Sequence, residues 1–395
     1  MKRFGWIVLL LTLAMPAWSA TSKKISVQEL KDLLTSLQAA KKSDDEVALQ
    51  LKQVELTEEL TAATMNSLSN LVPGPLSTEQ IYVLEARSAT LPPPASDIPT
   101  APAPDATAQQ AMLAKASDYV SKTYAQLPHL AATQMTARFQ DGVEAVHDGG
   151  MKSGVSNNVA DPVWEQTSLY VRLMNTHTDP VESENGVEKQ AKDNTKWGPN
   201  NMVASVAPEM PLSAILQEAS ANGSPKFLRW ETVNGKQVAV FSFSIDKKKT
   251  HFGVNYCCFP DTDTAGTVNY QMSHSAPGPA AVKGNLQTVS NWKNFKANAG
   301  YRGELFIDPD SGIVVRTITE ADFKPSDFVH YEKIRTDYAS MTIGGKTLVV
   351  PVRSFDLAEI VPNGDSFAAH YSVRHQMITE DIKDYQLAGA TTAQK

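Results

Sequence analysis

Apolar residues change their spacing about a third of the way along the chain. Over residues 22–91 they recur at helical intervals. Ser26 can cap a helix whose Leu30, Leu33, Leu34 and Leu37 share one face. A polar turn at 41–45 leads into a second helix with Val47, Leu51, Val54 and Leu56. Thr57 is expected to cap a third, carrying Leu60, Met65, Leu68 and Leu71, which Pro73-Gly74-Pro75 stops. Ser77-Thr78-Glu79-Gln80 has the capping-box form and opens a fourth helix with Ile81 and Leu84. Four short amphipathic helices joined by polar turns predict a small bundle, with the leucine stripe as its core.

Pro92-Pro93-Pro94, followed by Pro99, Pro102 and Pro104, predicts an extended, semi-rigid linker. Thr107-Ala108-Gln109-Gln110 is a second capping box, opening a helix to about Gln126 with Met112, Tyr119 and Val120 available for packing. The period then shortens to two. Residues 133–140 alternate, with Met135, Ala137 and Phe139 on one face; 168–174 is strand-like, 176–201 reads as a long polar loop, and 208–221 as a helix. Hairpins follow. Residues 227–233 and 236–245 flank Asn234-Gly235, and 328–343 and 346–354 flank Gly344-Gly345. Residues 251–259 make a strand, 261–287 are loop-rich, and 366–378 form a long last strand. The clearest hairpin is 301–320, where Leu305 and Ile307 alternate before Asp308-Pro309-Asp310-Ser311-Gly312, and Ile313, Val315 and Ile318 follow it. The expected layout is α+β. It comprises a signal peptide at 1–19, a helical domain at 20–91, a proline-rich linker at 92–106, a helix plus antiparallel β domain at 107–388, and a disordered tail at 389–395. Long strands joined by tight turns predict a curved antiparallel sheet, a half-barrel or incomplete barrel.

The signal peptide follows from the first residues. Met1-Lys2-Arg3 is basic, Ile7–Met15 is apolar apart from Thr12, and Ala17-Trp18-Ser19 places small residues at the −3 and −1 positions of a cleavage site. The apolar run is too short to span a bilayer comfortably, no later stretch approaches the ~18 apolar residues of a membrane helix, and no cysteine near the cut supports a lipid anchor. A periplasmic or extracellular location is expected. Removing Lys2 and Arg3 takes the balance from 36 − 43 = −7 to 34 − 43 = −9, a charge that disfavours nucleic acid. The two cysteines, Cys257 and Cys258, are adjacent. On a strand they face opposite ways, whereas a vicinal disulfide would require a distorted ring; the sequence leaves both open.

The pattern Tyr301-x-Gly303-x-Leu305-Phe306-Ile307-Asp308, then Ser311-Gly312 and Arg316, resembles the central hairpin of bacterial exported half-barrel domains. Those include the lipoprotein-carrier type, whose concave sheet holds acyl chains. Arg229-Trp230-Glu231, Phe241-Ser242-Phe243 and Val350-Pro351-Val352-Arg353-Ser354 are similar to a functionally unassigned group of long bacterial secreted proteins with a leucine-rich helical front end. The resemblance covers about the last 160 residues. It implies a fold and transfers no binding residues.

Catalytic motifs are weak. Gly344-Gly345-Lys346-Thr347 imitates the end of a phosphate-binding loop, but Ser340 stands where the first glycine is required. Asp261-Thr262-Asp263-Thr264-Ala265-Gly266 begins like a calcium loop, yet Met272 occupies the twelfth position, which needs a bidentate glutamate. Ser290-Asn291-Trp292-Lys293 has an SxxK form without its companion signatures. The histidines are scattered, and His370 and His375 fall on opposite strand faces. Arg172, Arg229, Arg316 and Arg353 sit in apolar strand context, which suits strand edges or buried ion pairs better than anion recognition. No catalytic, metal or cofactor residue is assigned, and no cofactor is expected. The sequence predicts an exported, non-catalytic protein that binds an apolar or amphipathic envelope ligand, such as a lipid, on the concave face of the sheet. The alternative is an envelope protein-interaction or scaffold module acting through the helical N-terminal part.

Overall fold

The computed structural model describes residues 23–140, 172–189, 211–260, 292–324, 329–360 and 375–389. The expected signal at 1–19, the expected loop-rich span 261–287, the start of the expected 366–378 strand and most of the expected tail lie outside them. The front of the chain forms β1 (Lys23–Ile25), α1 (Val27–Ala39), α2 (Asp44–Lys52), β2 (Val54–Leu56), α3 (Ala62–Leu68) and α4 (Pro75–Ser88). Ser26 with Glu29 and Ser43 with Glu46 make reciprocal capping boxes on α1 and α2. Leu30, Leu34, Val47, Leu51, Leu60, Leu68, Ile81 and Leu84 form one core.

Three local expectations are corrected. Val54 and Leu56 are not on the second helix; they form β2, which pairs in parallel with β1, and both are buried from alternate positions. Thr57 caps nothing. Its amide continues that ladder by donating to Ile25 O, and Thr61 caps α3 instead. Helix α4 begins at Pro75, ahead of the Ser77 box, because proline suits the first helical position, where no N–H partner is needed. Its free amides are capped from another helix: Asp44 accepts from Leu76 N at 3.0 Å and Ser77 N at 2.9 Å.

The rest comprises α5 (Ala106–Lys122), β3 (Leu130–Gln140), β4 (Arg172–Glu184), β5 (Val187–Lys189), α6 (Leu212–Asn222), β6 (Lys226–Val233), β7 (Lys236–Ile245), β8 (Gly253–Pro260), β9 (Trp292–Asn298), β10 (Gly300–Ile307), β11 (Val314–Asp322), β12 (Val329–Ile343), β13 (Lys346–Ile360) and β14 (His375–Leu387). Ten strands form one antiparallel sheet in the order β5-β4-β3-β14-β13-β12-β11-β10-β7-β6, open at β5 and β6. The fold is α+β, and the sheet is not closed into a barrel. Strands β8 and β9 form a separate two-stranded ribbon. Helix α5 starts one residue before the expected Thr107 box, capped by Asp105, whose carboxylate accepts from Ala108 N. The polar span 176–201 is not a loop at its start: 176–184 belong to β4, and Asn185 and Gly186, at φ 56° and 74°, turn the chain into β5.

The two sheet faces follow from the period of two. Phe241, Phe243, Tyr301, Leu305 and Ile307 pack under α5 and α6 with Ala116, Val120, Tyr124, Leu212 and Leu216. On the opposite face, Val238, Val240, Phe306 and Ile318 cluster together. Farther along that face, Phe139, Phe355 and Met377 meet Val83, Ala86 and Ala89 of α4. Gly303 lets β10 pass close to its neighbours: a Cβ there would collide with Ile318 O and lie 2.7 Å from the Phe243 ring. In the β10–β11 turn Asp308 closes the loop by accepting from Asp310 N and Ser311 N, and Gly312 takes φ 75°. The proline-rich segment is anchored to the fold, since Pro92 O accepts from Glu59 N and Pro102 O accepts from Trp230 Nε1.

Candidate functional site: a charged cleft between helices and sheet

Where the helical front meets the sheet lies a cleft of about 350 Å³. Its floor is set by strand register. Arg316, Asp337 and Arg353 lie opposite one another across β11, β12 and β13, so all three side chains leave the same face. Arg335, two residues before Asp337, shares that face, as does Glu231 of β6, which lies opposite Val238. Its wall comes from the helical front: Glu59 in the segment before α3, and Glu85 and Ala89 at the end of α4.

The charges interlock. Asp337 Oδ1 is 2.5 Å from Arg316 Nε, and its Oδ2 is 2.7 Å from Arg335 Nη2. Glu59 bridges the same two arginines, at 2.5 Å from Arg335 Nη1 and 3.3 Å from Arg316 Nη1. Arg335 Nη1 also donates to Ala89 O at 2.8 Å. Arg353 holds Glu85 with both terminal nitrogens, at 2.7 and 2.9 Å, the fork geometry that suits guanidinium to carboxylate. Arg353 Nε stands 3.1 Å from Asp381 Oδ1 but at an angle that forms no hydrogen bond. Glu231 lies 2.7 Å from Arg229 Nη2 and 3.6 Å from Arg316 Nη1. Phe355 lies under Arg353 and Arg335, with ring centroids 4.6 and 5.3 Å from the guanidinium carbons.

These environments pull the carboxyls apart. Burial opposes ionisation of Asp337, yet the charges of Arg335 and Arg316 bring it below its usual range. Burial raises Glu85, and the Arg353 charge only partly offsets it; burial likewise raises Glu231 against Arg229 and Arg316. Leu60, Ala63, Val233 and Phe355 give the cleft an apolar side. The arrangement can hold a molecule with both charged and apolar parts. Its acids and bases are engaged with one another, which suits recognition better than proton transfer. Among the described residues no group of three His, Cys, Asp or Glu stands where it could hold a metal ion.

Three of the four strand arginines enter ion pairs: Arg229, Arg316 and Arg353. The side chain of Arg172 lies outside what is described, as do those of Cys257 and Cys258 in β8. Gly344 and Gly345, at φ 57° and 78°, form the β12–β13 turn and no phosphate loop. Ser290, His370 and the span 261–266 fall outside the described residues. Sequence reasoning missed Glu59, Glu85, Arg335 and Asp337. For the last two a signal existed: charged residues two apart within a long strand share one face. Compared with family models, with curated proteins and with solved structures, the chain matches none.

Proposed function

We propose that the chain is an exported, non-catalytic binding protein that takes an amphipathic envelope ligand against its sheet, in the cleft beside α4. The observation that carries this reading is the cleft itself. Its volume falls within the ~300–1,000 Å³ typical of small-molecule sites, and its lining joins an apolar side to a charged floor. The sheet face under α5 and α6 is filled by Tyr124, Phe241, Tyr301 and Leu305, which moves the expected ligand to the other face. It also shifts the ligand from purely apolar toward a molecule with a charged head. The resemblance of the central hairpin to carrier half-barrels accords with this reading. The test is to extract natively purified mature protein with organic solvent, identify lipid by mass spectrometry, and titrate with a fluorescent fatty acid. Ala63→Trp, which fills the mouth, should weaken binding at least tenfold. The proposal fails if nothing co-purifies and no saturable binding occurs, or if binding survives Ala63→Trp unchanged.

A second reading, the interaction module, is favoured by Leu49 of α2 and by Leu76 and Tyr82 of α4. They expose 54%, 46% and 46% of their surface on helices that pack together. Replacing Leu49 and Tyr82 by serine should then abolish cross-links to an envelope partner and leave fatty-acid binding intact; unchanged cross-links would refute it.

A further inference from the structure

The sheet face opposite the cleft carries a buried polar notch, which also holds Arg138 of β3, opposite Ile378 and 3% exposed. One row of paired residues runs Glu332–Ala358–Gln376 across β12, β13 and β14, and the adjacent row runs Ile334–Asp356–Ile378. Strands lie ~4.8 Å apart, so Glu332 and Gln376 are rooted ~10 Å from each other with only a methyl group between them. Glu332, Gln376 and Asp356 are 1%, 1% and 7% exposed. Both carboxyl oxygens of Glu332, Oδ1 of Asp356 and both amide atoms of Gln376 are buried without a hydrogen-bond partner. Buried polar groups in folded proteins are nearly always satisfied, and a group that is not calls for a water, an ion or a ligand. Here five such atoms surround one alanine.

We propose that this notch binds a small ligand bearing a primary ammonium next to an oxygen acceptor, as in an amino alcohol. The ammonium has three N–H donors for Glu332, Asp356 and Gln376 Oε1, and its charge offsets the buried carboxylate. The neighbouring oxygen accepts from Gln376 Nε2, a donor that a bare metal ion would leave unsatisfied. A calcium ion would also need six to eight oxygens, and the notch offers carboxylates from only two of its residues. The site is independent of the cleft, because Asp356 and Arg353 leave opposite faces of β13.

The experiment is isothermal titration of the full mature chain with ethanolamine, with tetramethylammonium and calcium chloride as comparisons. Ethanolamine should bind saturably, tetramethylammonium, which has no N–H, should not, and Glu332→Gln and Asp356→Asn should each weaken binding at least tenfold. Ala63→Trp should leave it unchanged, which separates this site from the cleft. Should Glu332→Gln fail to fold, Asp356→Asn carries the test. The proposal is overturned by absence of saturable ethanolamine binding, by equal binding of tetramethylammonium, by affinity unaffected in the folded variants, or by calcium binding in ethanolamine's place.

Discussion

Glu59→Gln tests whether charge holds the helical front on the sheet. The side chain is 5% exposed and touches two guanidiniums, Arg335 at 2.5 Å and Arg316 at 3.3 Å. Glutamine keeps the shape, but one of its two polar atoms becomes a donor facing a donor. A pair of unit charges ~4 Å apart interacts by about 4 kcal/mol at an effective dielectric near 20. Two such contacts are lost, offset by the desolvation that Glu59 no longer bears. Removing one partner of a buried pair typically costs about 3–5 kcal/mol. Arg335 keeps Asp337 and Ala89 O, and Arg316 keeps Asp337 and Glu231, which places the loss near the lower end, about 3 kcal/mol. Urea denaturation followed by circular dichroism measures it. Hydrogen exchange locates it: amides of α4 should exchange about 100-fold faster if they open by undocking. A variant within about 0.5 kcal/mol of the parent, with α4 protection unchanged, would refute the idea that this network secures the helical front.

Other expectations follow from the same geometry. Leu305 is fully buried, so Leu305→Ala should cost about 2–5 kcal/mol; parent-like urea midpoints would remove it from the core. Trp230→Phe deletes the hydrogen bond to Pro102 O and should make residues 92–105 the first site of limited proteolysis; cutting first inside β7 would contradict the proposed layout. Burial pushes the Glu332 carboxyl up to about 8, and burial with the charges of Glu332 and Glu380 raises Asp356. Glu332, Asp356 and Glu380 share this face with Arg138 of β3. The folded chain therefore holds protons that the unfolded chain has released, so in amine-free buffer stability should fall as pH rises from about 4.5 toward about 8. Glu332→Gln should flatten that slope, and a midpoint that rises with pH over this window would refute it.

What the sequence made legible was whatever local chemistry dictates. Asn234-Gly235 and Gly344-Gly345 specify their turns because few other residues accept positive φ at both positions. Ser26 and Ser43 specify helix starts by satisfying free amides. Asn185-Gly186 carried the same signal, but its flanking strands are charged and polar and lie at the sheet edge, half exposed along β4, so no apolar alternation pointed to them. Val54 was ambiguous for a different reason. It lies three residues after Leu51 and two before Leu56, so it fits the helical period and the strand period equally, and pairing with β1 decided the outcome.

The cleft was hardly legible, since its members are distant in sequence: Glu59 and Arg335 are 276 residues apart. Individual arginines were visible, whereas two of the carboxylates they meet, Glu59 and Glu85, belong to a loop and a helix whose placement only the fold determines. The chemistry of the seam bears on what it does. Inside the helical front, leucines and isoleucines pack into a continuous core, which favours a rigid unit. Between that front and the sheet, the apolar contact on the α4 side is Val83, Ala86 and Ala89; the two alanines bury little apolar area at ~25 cal/mol per Å². The ion pairs beside them fix register through their geometry. They contribute less net stability than apolar packing of the same volume, because each charge was well solvated before it was buried. A seam of this composition holds two parts in one orientation while leaving space between them, and a polar head entering that space meets arginines and carboxylates already held in place, so little ordering remains to oppose its binding.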